Sequence, residues 1–80
     1  MVKKNITTAQ IYAVKTLEEL TTLAPSFEEV YGELENIIKK QEDPTTSLSD
    51  NISFYKLGKI FVAYCQNILQ NAENEIENIN

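Results

Sequence analysis

At 80 residues the chain has room for a single domain, one that buries only about 60% of the surface its unfolded form exposes; this argues against a catalytic cleft and toward binding or assembly. The net charge is −5, and all seven basic residues are lysines, scattered over Lys3, Lys4, Lys15, Lys39, Lys40, Lys56 and Lys59. A chain that grips nucleic acid unaided usually gathers a basic face, because counterion release supplies most of the affinity, and none is gathered here.

Residues 1–7 are polar and expected to fray. From Thr8 the pattern turns helical, with Thr7 or Thr8 as N-cap and Ile11, Val14, Leu17, Leu20 and Leu23 recurring every three residues. Steps of three drift by about 60° on a helix of 3.6 residues per turn, so this band winds around instead of forming one face. Pro25 ends the helix, since proline lacks a donor and pushes Ala24 out of the α region. Residues 1–24 therefore read as an N-terminal extension carrying one helix, ahead of a helical hairpin over residues 25–80.

Ser26 with Glu29 forms a capping box that opens a second helix, over about 27–41. It turns Phe27, Val30, Tyr31, Leu34, Ile37 and Ile38 inward, and Glu28, Glu29, Glu33, Glu35, Lys39 and Lys40 mostly outward. Gly32 costs this helix up to about 1 kcal/mol relative to alanine, which close packing against another helix would offset. The connector, 42–47, carries the turn signal Asp43-Pro44 and a weaker capping box, Ser47 with Asp50. Six residues is an ordinary link between antiparallel neighbours.

The long last helix, about 48–78, holds no proline and carries two apolar stripes. One is a seam of Leu48, Ile52, Tyr55, Gly58, Val62, Cys65, Leu69, Ala72, Ile76 and Ile79 at steps of three and four. This seam, with Phe27, Tyr31, Leu34 and Ile38, is expected to form the hairpin core. The other stripe, Phe54, Leu57, Phe61, Tyr64 and Ile68, lies about 100° round the helix and is expected to bind a partner. The second helix spans about 22 Å and the third about twice that, so the distal half needs further cover. Glu73, Glu75 and Glu77 oppose the macrodipole at the C-terminus, so the tail is expected to loosen beyond residue 75 unless a basic surface meets it.

Chemistry is hard to locate. Histidine, the commonest general base and metal ligand, is absent. Glu28 and Glu35 lie on exposed faces with no pocket to separate their pKa values. Asp43 and Asp50 could hold a divalent metal in principle, but turn-forming and capping roles suit them better. The single cysteine, Cys65, sits on the apolar seam away from basic residues and reads as a structural thiol. Phe54, Phe61 and Tyr64 could stack on bases, yet only Lys56 and Lys59 lie near, which favours protein packing. No catalytic, metal or cofactor residues are assigned. There is no 18-residue apolar run and no signal-peptide core after Met1, so a soluble, cytoplasmic chain is expected.

The segment SFEEVYGELENIIKKQED followed by SLSDNISFYKLGKIFVAYCQNILQNAE resembles the small subunit of exodeoxyribonuclease VII. The matching features are Phe27-Glu28, Leu34-Glu35 with Ile37-Ile38, then Leu48, Tyr55, Gly58, Cys65-Gln66, Leu69 and Ala72-Glu73. The connector reads DPTT where that family usually has a short glycine-containing turn, and Phe61 stands where leucine is usual. The resemblance implies a noncatalytic, all-helical chain that binds a large catalytic subunit, in a complex that degrades single-stranded DNA from its ends to short oligonucleotides. DNA would then be met only through the complex. The expected fold is all-α, an antiparallel hairpin with an additional N-terminal helix, as in an up-and-down, spectrin-repeat-like three-helix bundle. Self-association is also expected, and the alternative function is a free-standing, self-associating coiled-coil adaptor with no nuclease partner.

Overall fold

Helices α1 (Thr8–Tyr12), α2 (Leu17–Leu23), α3 (Phe27–Glu42) and α4 (Leu48–Ile79) follow one another in a computed structural model. It describes the backbone of residues 6–79 and the side chains of residues 6–76. The protein is all-α. Fraying expected at the N-terminus falls largely outside the described residues, as do the side chains of Glu77 and Ile79. The backbone of α4 is helical to Ile79.

The extension forms two short helices, not one. Thr7 caps α1 with a box closed in both directions: its hydroxyl accepts from the Gln10 amide, and the Gln10 side chain accepts from the Thr7 amide at 2.8 Å. The chain leaves the helix after Tyr12 and restarts where the Thr16 hydroxyl accepts from the Glu19 amide at 3.1 Å. The physical reason lies in the three-residue spacing. An unbroken helix would carry Ile11, Val14 and Leu20 around its circumference, whereas the break lets all three be buried in one core.

Ala24 ends α2 in the left-handed region, at φ 55° and ψ 51°, so the residue before Pro25 does avoid the right-handed α region. Pro25 is buried, and the Ser26 hydroxyl caps α3 by accepting from the Glu29 amide at 3.1 Å. Along α3, Val30 and Ile37 are buried, while Phe27 and Leu34 pack partly covered against the core. Tyr31 and Ile38, expected inside, are 49% and 47% exposed, because one helix of this length turns only a narrow stripe toward α4. Gly32 is likewise corrected: a Cβ built there meets nothing within 4 Å, so no close helix approach requires it.

The connector is held by its own side chains. Asp43 Oδ1 accepts from the Thr45 amide at 2.8 Å and the Thr45 hydroxyl at 2.7 Å, and the Thr46 hydroxyl donates to the Lys40 carbonyl at 2.6 Å, satisfying an end of α3. These bonds to Thr45 hold the Asp43 carboxyl below its ordinary range. The Ser47 hydroxyl then caps α4, accepting from the Asp50 amide at 3.1 Å. Both α2 and α3 pack on α4, so the third member of the bundle is supplied by the two short helices rather than one long one.

Candidate docking surface

The inner face of α4 is the aromatic stripe. Phe61 is fully buried and Tyr64 nearly so, while Phe54, Leu57 and Ile68 are half-buried against the same core. Tyr12 meets Phe61 edge to face at 6.0 Å and 75°, a favoured geometry for aromatic pairs. The Tyr64 hydroxyl donates to the Pro25 carbonyl at 2.6 Å, fastening the α2–α3 junction to a residue 39 positions away. Burial pushes the Tyr64 hydroxyl above its ordinary pKa. Burial, with Glu33 beside it, pushes Tyr12 up to about 12. Lys40 ties the extension to both helices, its Nζ lying 5.7 Å from the Tyr12 ring centre and 5.4 Å from that of Phe54.

The outer face is the seam expected to be the hairpin core. Leu48 is 77% exposed, Tyr55 61%, Leu69 50% and Ile76 62%, and Ile52, Val62 and Ala72 are also exposed. Among the described residues of that set, only Gly58 and Cys65 lean inward, Gly58 half-buried and Cys65 buried. The seam expected to be buried is thus mostly exposed, and the stripe expected to be free is buried or half-buried. The physical reason is the extension: α1 and α2 bring Ile11, Val14 and Leu20 to α4, and the larger aromatic side chains offer the area to bury them. Phe61 and Tyr64, expected to meet a partner, have no surface to offer one while α1 and α2 stay in place.

Between α3 and α4 the seam borders a groove of about 410 Å³, with Leu34 and Ile38 on one wall and Tyr55 and Val62 on the other. Gly58 forms part of its lining; a Cβ there would sit 3.9 Å from both Leu34 and Ile37, an ordinary contact. Lys59 stands at the rim with its Nζ 5.6 Å from the centre of the Tyr55 ring. Contiguous exposed apolar area of this kind is typical of interaction surfaces. Sequence reasoning missed Tyr31 and Ile38 as outward residues. The available signal for the seam was its interval: Leu48, Tyr55, Val62, Leu69 and Ile76 recur every seven residues.

Among the described residues no three His, Cys, Asp or Glu side chains are gathered where they could hold a metal ion. Burial pushes the Cys65 thiol up, away from the reactive thiolate. Among the described residues no helix is long and apolar enough to cross a membrane. The arrangement offers apolar area for binding.

The profile of the family described as exonuclease VII small subunit matches residues 27–78, which is α3, the connector and nearly all of α4. The exodeoxyribonuclease 7 small subunit of Nitrosomonas europaea is 41% identical over 63 residues, covering 75% of this chain and 71% of that protein. Its counterpart in Staphylococcus aureus strain JH9 is 35% identical over 60 residues, covering 75% and 79%. No solved structure matches the chain. The family profile covers more than half of the chain and both relatives exceed 30% identity, and the chain belongs to the exonuclease VII small subunit family.

Proposed function

We propose that the chain is the noncatalytic small subunit of exodeoxyribonuclease VII and that it docks on the large catalytic subunit through the outer face of α4 and the groove beside α3. The complex, in the cytoplasm, degrades single-stranded DNA from its ends to short oligonucleotides. The observation that carries this is the uncovered apolar seam from Leu48 to Ile76, on the segment that matches the family. A helix laid on it would take the exposed parts of Tyr55, Val62 and Leu69 out of water, at about 25 cal/mol per Å² of apolar area. Hydrolysis belongs to the large subunit and single-stranded DNA reaches the chain only through the complex, as the scattered lysines and net charge of −5 suggest. Copies of the chain also associate with one another.

Co-expression with the large subunit tests this. The two should co-purify, and the complex should release acid-soluble oligonucleotides from single-stranded DNA while the small chain alone releases none. A correctly folded chain that fails to co-purify would overturn the proposal and favour the free-standing adaptor.

A further inference from the structure

The outer face of α4 carries a heptad pattern with polar residues placed at even intervals. Reading Leu48, Tyr55, Val62, Leu69 and Ile76 as d positions, the intervening a positions are Ile52, Lys59, Gln66 and Glu73. All nine are exposed. From Leu48 to Ile76 the seam runs four heptads, about 42 Å, long enough for a stable coiled coil. Its polar core positions run positive, neutral, negative, with Lys59 and Glu73 each seven residues from Gln66.

We infer that, free of the large subunit, the chain pairs with a second copy of itself through this seam, antiparallel, about a two-fold axis passing between Val62 and Gln66. Charge selects the direction. A parallel pair in register sets Lys59 beside Lys59 and Glu73 beside Glu73, two like-charge contacts in the seam. The antiparallel pair removes both and brings each Lys59 to within about one helical turn of the partner's Glu73, and symmetry repeats each contact. It aligns Ile52 with the partner's Ile76, Tyr55 with the partner's Glu73, Lys59 with the partner's Leu69 and Val62 with the partner's Gln66. Every a residue then faces a d residue across the axis.

The position of Lys59 agrees. Its ammonium already lies 5.6 Å from the centre of the Tyr55 ring, and Tyr55 is the residue brought level with the partner's Glu73. The lysine stem covers the partner's Leu69 while its head turns toward that carboxylate, as amphipathic side chains do at the edge of a buried seam. The opposed macrodipoles of the two long helices add to the preference. This pairing occupies the face proposed for the large subunit, which makes the two alternatives. It is tested on the small chain alone, so its failure and the failure of the docking proposal are separate results.

Sedimentation of the purified full chain should give twice the monomer mass, and Val62→Asp should give a monomer with unchanged helical circular dichroism. Lys59→Glu should raise the dimer dissociation constant several-fold, and adding Glu73→Lys should restore it. In a Cys65→Ala background, mixing Ile52→Cys chains with Ile76→Cys chains should yield the mixed disulfide. A monomeric wild-type chain, a dimer indifferent to Val62→Asp, no rescue by the charge exchange, or cross-linking of Ile52→Cys only to itself would each overturn the pairing.

Discussion

Gly32 and Tyr12 show how single residues carry this fold. Gly32 lies inside α3 with open space where a Cβ would be, so Gly32→Ala should raise stability by about 0.5 to 1 kcal/mol, measured by urea denaturation. A loss of stability would mean that the position is crowded after all. Burial and the neighbouring Glu33 push Tyr12 up to about 12 in the folded chain, against an ordinary value near 10. The folded form keeps its proton through that window while the unfolded chain gives it up. The contribution is therefore full below pH 10 and is lost as pH rises toward 12. Tyr12→Phe should flatten this part of the stability profile, and an unchanged slope would contradict the assignment. Ala24, by contrast, bears the strain of a left-handed backbone to turn the chain into Pro25.

At the scale of elements, the caps and breaks were legible because they depend on local chemistry. Ser26, Ser47 and Pro25 act on their own neighbours, and the sequence alone places α3 and α4 within a residue or two of where they stand. The break between α1 and α2 was not legible, although its cause was: the three-residue spacing spreads Ile11, Val14 and Leu20 over about 180° of an unbroken helix, more than one face. Which face of α4 turns inward was not legible either. Both stripes have helical spacing and similar apolar content, and the choice depends on what the extension brings to Phe61 across long sequence separation. The extension is therefore part of the core. Deleting residues 1–24 uncovers Phe61 and Tyr64 and removes Leu20, so the truncated chain should melt at markedly lower temperature or aggregate. A truncated chain that melts like the full one would show the hairpin to be self-sufficient.

For the whole molecule, family membership and geometry support each other without duplicating each other. The family match covers α3 and α4, and it says nothing of which face is free. The structure leaves Leu48, Tyr55, Leu69 and Ile76 in solvent, and covers the aromatic stripe with α1 and α2. Substitutions consequently divide into two classes. Phe61→Ala empties a filled core position, at a cost of about 3 to 5 kcal/mol, and should act by unfolding. A charge placed on the outer seam should leave the fold intact and act only on association.

The most direct test is co-purification of the large subunit with a Val62→Asp, Leu69→Asp double variant, measured alongside its circular dichroism. The variant should keep its helical signal and lose the large subunit. A folded variant that retains the large subunit at the wild-type level would contradict the outer seam as the docking face.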